Sequence, residues 1–399
     1  MILLSSSLIS GTQLEVKQLR VCYFGTYRVE YSRNQIMIEG LRRNGVEVVE
    51  CHETLWQSIE DRVNVASGGW KQFAFMTRLL KAYLRLLRRY RQVGDYDVLV
   101  VGYPGQLDVF LARLLAWLRR KPLVWDVFMS IYLIAWERGL GERGRLNLWL
   151  LRVLEYLACR LPDRLIQDTD EYVAWLCRTH HLKAERFRLV PTGADDRNFY
   201  PVAATKSGGR FRVVYYGTYI RNHGVPYMLE AARRLQSMPE IRFEFIGQGP
   251  MRAEVEALAR KYALTNVQFT DWVESAELPA YLADADVCLG AFGDTPQSLM
   301  TIQNKVYEGL AMGKPVISGD SPTVRATFTH GEHLYLCPRG DPQALANAIL
   351  MLYRDPVLTR RLAEAGKQRF QEEFTVQCTG AMFRKHLEEI VLRKTSFER

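Results

Sequence analysis

From about residue 19 onward, short β-branched or aromatic runs alternate with longer stretches of helical period. A strand that leads through a helix into another strand of the same sheet must run parallel to it. The alternation therefore predicts α/β architecture, with parallel sheets covered on both faces by helices. In the first half the expected strands are Arg20–Phe24, Val46–Glu50, Val98–Val101, Leu123–Val127, Arg164–Gln167 and Arg188–Val190. Helices are expected at Arg33–Asn44, Trp70–Arg91, Leu107–Arg119, Arg145–Arg160 and Glu171–His180.

The alternation breaks once. Asp195 to Arg210 has neither period and holds Pro201, Ser207, Gly208 and Gly209, the composition of a linker. It resumes with strands at Phe211–Tyr216, Arg242–Ile246, Val267–Thr270, Val287–Gly290 and Pro315–Ser318. A chain of 399 residues suits two such units. The reading is a first domain over 1–195, a linker over 196–210 and a second domain over 211–375. A terminal helix over 376–399 can cross back to the first domain. Tyr23-Phe24-Gly25-Thr26-Tyr27 and Tyr215-Tyr216-Gly217-Thr218-Tyr219 echo one another. A glycine at such a strand end permits a sharp turn or a close ligand approach; two ordinary turns are the alternative.

No stretch of 18 uncharged apolar residues occurs, so a transmembrane helix is not expected. Met1-Ile2-Leu3-Leu4 and the serines after it lack a basic start and a long apolar core, and read as a frayed leader. Seven scattered cysteines without a C-x-x-C spacing suggest neither a disulfide framework nor a zinc site, and a reducing, cytoplasmic setting is expected. The net charge of +9 lies mostly in residues 1–200, which carry 29 basic against 22 acidic residues, so an anionic partner should meet that half. Trp70 to Arg91 holds seven Lys or Arg and no acid, interleaved with Phe73, Met76, Leu80 and Leu84. Such a helix can pack its apolar stripe on the sheet, rest on anionic lipid, or do both. Nucleic acid is not an expected partner, because no recognised module accompanies the charge.

The segment richest in chemistry is Asn304-Lys305-Val306-Tyr307-Glu308-Gly309-Leu310-Ala311-Met312-Gly313-Lys314-Pro315-Val316-Ile317. Val306 and Leu310 give a helix its apolar face, Gly313 stops it, and Pro315 opens the next strand. Lys305 and Glu308 share a face, as a surface ion pair or as part of a phosphate site at the helix start.

From Glu308 onward this run resembles the E-A-M-A-x-G-x-P-V-I element of the retaining GT-B glycosyltransferases of family 4, the group 1 transferases. Phe245-Ile246-Gly247-Gln248-Gly249-Pro250 is similar to the family's G-x-G-P turn. Val190-Pro191-Thr192-Gly193-Ala194-Asp195 with Phe199-Tyr200-Pro201 is similar to its domain boundary. The resemblance implies a GT-B fold, two Rossmann-like domains facing across a cleft. It implies a nucleoside-diphosphate-sugar donor, a glycan, lipid-linked or small-molecule hydroxyl acceptor, retention, and no metal or other cofactor. Glu308 would hold the donor ribose. The family's first glutamate falls at Met300, so Lys305 and the backbone around Thr301–Gln303 would take over its contacts, with Asn304 also at the donor. The usual arginine and lysine of the first loop fall at Thr218 and His223; Arg221 between them would restore charge, and His223 can equally cap or pack. Gly25, Gly217 and Gly247 would approach the donor, and the backbone at Trp272 and Val273 the nucleobase. Asp126 would face the transferred sugar; a helix-capping or structural aspartate is the alternative. Asp168 and its neighbours read as the cap of the next helix. Asp284-Ala285-Asp286 spells D-x-D but precedes a strand, and reads as a helix-end turn. A nucleotide-sugar 2-epimerase and a non-catalytic nucleotide-sugar binder are the alternatives.

Overall fold

The computed structural model describes residues 18–55, 73–139, 144–203 and 209–397. Two sheets of six strands, each wholly parallel, form the two domains. In the first, β1 (Arg20–Gly25), β2 (Glu47–His52), β3 (Val98–Val101), β4 (Leu123–Asp126), β5 (Arg164–Gln167) and β6 (Phe187–Leu189) lie in the order β2-β1-β3-β4-β5-β6. In the second, β7 (Phe211–Tyr216), β8 (Ile241–Ile246), β9 (Val267–Thr270), β10 (Val287–Leu289), β11 (Val316–Gly319) and β12 (Tyr335–Cys337) lie in the order β12-β11-β10-β7-β8-β9. The strand order reverses beside β1 and beside β7, which is where open α/β sheets bind ligands.

Successive side chains of the strands enter different cores, as the two-residue period requires. Val21 and Tyr23 of β1 pack with Met37, Leu41, Phe383 and Leu387. Cys22 and Phe24 pack with Leu86, Val109 and Leu115 on the other side. The helix Phe73–Tyr90 buries Phe75, Ala82, Leu86 and Tyr90 and leaves Phe73, Met76, Leu80 and Leu84 exposed. One of its apolar stripes thus packs on the sheet and a second does not. Residues 70–72 of the expected helix lie outside the described residues.

The helix Val376–Phe397 lies against the first domain, although it follows the second. It crosses Ser32–Arg43 at two glycines: a Cβ on Gly40 would come within 2.8 Å of the Gly380 Cα. Arg384 donates to the Asn44 carbonyl at 2.7 Å, and Phe383, Leu387 and Ile390 complete the core under β1. Five short elements escaped the periodicity: β12 and the helices Ile131–Glu137, Leu278–Ala283, Pro296–Met300 and Pro322–Thr327. Each has seven residues or fewer, little more than one or two turns of its own pattern.

Candidate active site

The helix Asn304–Ala311 begins at the cleft between the sheets. Val306, Tyr307 and Leu310 anchor it in the second domain's core. Gly309 lets it sit close to the sheet, since a Cβ there would lie 2.8 Å from Val316 Cγ2. Gly313, at φ +64°, closes it; the Gly313 and Lys314 amides donate back to Leu310 and Glu308's neighbour Gly309 at 2.9 Å each. No side chain caps its start. The Val306 amide donates to the Gln303 carbonyl at 2.9 Å, and the positive end of the helix dipole lies at Asn304 and Lys305.

Lys305, in the first turn, is buried. Its Nζ lies 3.1 Å from His223 Nδ1 and 3.2 Å from Nε2, and 5.0 Å from the Tyr215 ring centre. The Tyr215 hydroxyl donates to the Thr218 carbonyl at 3.0 Å and meets His223 Nδ1 at 2.8 Å. Gly217 allows this crowding: it adopts φ +130°, and a Cβ there would lie 3.3 Å from the ammonium. Burial pushes Lys305 down to about 7, opposed by Glu308. Burial also pushes Glu308 up to about 7, opposed by the Tyr216 hydroxyl and by Lys305. His223 is driven well below its usual range by burial and then by the Lys305 charge, and it is neutral. A cation, a carboxyl and a neutral imidazole thus sit at a helix N-terminus, the first two easily shifted by an incoming charge.

The remaining expected residues divide. Gly247 stacks its backbone directly on Gly217, leaving no room for a Cβ. Arg252 holds that turn by donating to the Gly247 carbonyl at 2.6 Å and the Thr270 carbonyl at 2.9 Å. Arg221 is exposed on the turn Arg221–His223. Trp272 is exposed beyond β9, its Nε1 donating to Glu274 at 3.1 Å, while Val273 packs on the second domain's core. Asn304 reaches across the cleft, donating to Ser32 Oγ at 2.6 Å. Gly25, at φ +141°, abuts Asp108, whose carboxylate accepts from the Thr26 amide at 2.7 Å.

Asp126 is fully buried and ion-paired, which favours the structural of its expected roles. Arg33 donates to both its oxygens, at 2.9 and 3.0 Å, and both side chains are fully buried. Arg33 also donates to the carbonyls of Val190 and Pro191, so the pair ties β4 to the domain boundary. With both oxygens occupied, Asp126 holds structure. Asp168 is more than a neighbour of a cap: Thr169 caps the helix Asp170–His180, while Asp168 is buried and pushed up to about 7 by burial, against the pull of Arg33. Met300, where the family's first glutamate would stand, inserts its side chain into the first domain's core. Its carbonyl accepts from Thr169 Oγ1 at 2.6 Å. Glu137 accepts from the Gln297 amide at 2.7 Å, a further bond between the domains. Arg339 braces the loop before Met300 by donating to the Gly293 carbonyl at 2.9 Å and Ser298 Oγ at 2.8 Å. Asp284 and Asp286 grip Arg212 at the start of β7, the end of the strand remote from the cleft, as a helix-end turn does. Among the described residues no group of three His, Cys, Asp or Glu is placed to hold a metal ion.

Two family profiles match the chain: "Glycosyltransferase Family 4" over residues 35–198 and "Glycosyl transferases group 1" over residues 210–355, together more than half of it. The chain belongs to the group 1 glycosyltransferases, family 4. EpsD of Bacillus subtilis is 30% identical to it over 204 residues, which cover 49% of this chain and 50% of EpsD. The chain spans about half the length of several of the curated relatives that it matches. A sucrose-phosphate synthase from Thermosynechococcus elongatus superposes with a TM-score of 0.72 at 18% identity, covering 94% of this chain and all of that one. HepE of Anabaena, solved in complex with UDP, superposes with a TM-score of 0.66 at 15% identity, covering 93% of this chain and all of HepE. These likenesses establish the GT-B fold, two Rossmann-like parallel-sheet domains across a cleft.

Proposed function

We propose that this group 1 family member transfers a sugar from a nucleoside-diphosphate sugar to a hydroxyl acceptor, with the anomeric configuration retained. The observation that carries the reading is the buried Lys305 beside Glu308 at the uncapped start of Asn304–Ala311. A diphosphate matches that cluster: Lys305 Nζ and the first helix amides donate to its oxygens. Arg221 adds charge from the opposite turn. Glu308, one turn further in, accepts from the ribose hydroxyls, and the backbone at Trp272 and Val273 meets the base. The UDP bound by HepE, which has this fold, supports a nucleotide in this cleft.

As the bond between the anomeric carbon and the diphosphate breaks, charge grows on the leaving oxygen, where Lys305 and the helix dipole stabilise it. The acceptor hydroxyl attacks the oxocarbenium-like carbon from the face that the diphosphate leaves, and its proton passes to the departing phosphate. The protein supplies the charge in this reading, so turnover should be the same with and without a chelator. The acceptor is a glycan or a lipid-linked hydroxyl, met in the cytoplasm or on the cytoplasmic face of a membrane. Glu308→Ala should abolish the thermal stabilisation given by the preferred nucleotide among UDP, GDP and ADP while leaving the unliganded melting temperature close to wild type. Unchanged nucleotide affinity by calorimetry would sink the assignment.

A further inference from the structure

Two helices cover one face of the first sheet, and a larger set covers the other. Ser32–Arg43 and Val376–Phe397 lie over Val21, Tyr23, Val100 and Val124. Phe73–Tyr90, Asp108–Leu118, Asp170–His180 and the C-terminal end of Arg145–Ala158 pack in the core of Phe24, Val101, Trp125 and Leu165. Three of them, Phe73–Tyr90, Asp108–Leu118 and Arg145–Ala158, also carry exposed apolar side chains. Phe73 and Leu80 are 83% and 61% exposed, Leu114 and Trp117 are 52% and 67%, and Leu146 and Trp149 are 63% and 57%. Spacings of three and seven keep each pair on one side of its helix. Single exposed apolar residues need no explanation, but pairs of them repeated on three helices of one sheet face do.

Charge identifies what covers them. The two acids of these three helices, Asp108 and Glu155, are both buried, one on Thr26 and the other accepting from Ser130 Oγ at 2.9 Å. Every exposed charged side chain on the three helices is a lysine or an arginine. A second copy of the same face would set cations against cations. A bilayer carrying anionic lipid accepts both the exposed apolar side chains and the cations around them. Tryptophans such as Trp117 and Trp149 suit the depth of the headgroups. Among the described residues no helix is long and apolar enough to cross a membrane, so the contact would be peripheral. The layer also reaches the cleft. Trp136, 51% exposed, adjoins Glu137, which bonds to Gln297 of the second domain.

We propose that the outer face of these three helices docks on an anionic bilayer, so that a lipid-linked acceptor reaches the cleft from the membrane plane. The acceptor clause rests on the transfer reading; the docking stands on the surface itself. The test is sedimentation of the full chain with phosphatidylcholine vesicles, with and without about one-third phosphatidylglycerol, at low salt. The protein is expected to sediment with the anionic vesicles and remain in solution with the neutral ones. The triple variant Leu80→Ser, Trp117→Ser, Trp149→Ser, which alters only exposed positions, should lose about tenfold or more in vesicle affinity and keep its nucleotide-induced thermal shift. Equal sedimentation with both vesicles, or a triple variant that binds as wild type, overturns the docking. So does a lipid-free dimer in the ultracentrifuge that the triple variant dissolves, since the face would then belong to a second copy. Anionic-vesicle binding without any nucleotide binding would support the docking and count against the transfer reading alone.

Discussion

Replacing Lys305 by Met should make the unliganded protein more stable and the nucleotide complex weaker. Lys305 is about 5% exposed, and burial carries its ammonium from 10.5 to about 7. At about 1.36 kcal/mol per pH unit, holding it charged in the folded protein costs roughly 5 kcal/mol. Glu308 would lose its neighbouring cation in the variant, and water relaxes part of the burial penalty, so a net gain of ~2–3 kcal/mol is expected. Its sign changes with pH in a defined way. Unfolded lysine keeps its proton up to about 10.5 and the folded one releases it near 7, so wild-type stability rises with pH across that window. The variant's advantage is therefore complete below pH 7 and fades toward pH 10.5. On the binding side, one charge-assisted hydrogen bond to phosphate is worth about 1.5–3 kcal/mol, which is about 10- to 100-fold in nucleotide affinity. Urea unfolding at pH values on either side of the window, with calorimetric titration of nucleotide, measures both. A variant less stable than wild type in mild acid would refute the burial argument. Unaltered nucleotide affinity would refute the role in binding.

Other substitutions separate structure from chemistry. Nucleotide affinity should fall as pH rises above about 7, as Lys305 loses its proton and Glu308 gains its charge, both disfavouring an anion; a flat calorimetric profile across neutrality would contradict this. Asp126→Asn should weaken the fold by about 3–5 kcal/mol, because Arg33 is left buried without its counter-charge. Intact thermal stability with lost turnover would return Asp126 to the reaction. Met300→Glu, which writes the family's first glutamate into the chain, should lower the melting temperature rather than raise activity, since it puts a carboxylate into an apolar core.

Both sheets were legible from periodicity because parallel strands buried on both faces leave short apolar runs that stand out from helices. β12 was not, since Tyr335–Cys337 is too short to establish a period. The candidate site was legible where its residues lie within one local motif: Gly217, Gly247, Lys305 and Glu308 each stand at a strand end or a helix start. Where a residue's role depends on a distant partner, local spelling left the alternatives open. Asp126 occupies a motif position, yet its partner Arg33 is 93 residues away and leaves no trace beside it. Met300 looked like a lost site residue. Its insertion between domains became visible only once the helix Pro296–Met300 had been placed against Thr169.

The return of Val376–Phe397 to the first sheet has a consequence for how the chain is made. Phe383, Leu387 and Ile390 fill the core beneath β1, so residues up to 195 cannot close their own interior. At ordinary elongation rates the ribosome needs roughly 10 to 40 s more to reach them. Through that interval the donor domain can fold as a continuous segment while the earlier domain waits with one face uncovered. The order of completion on the ribosome is then the reverse of the order of synthesis.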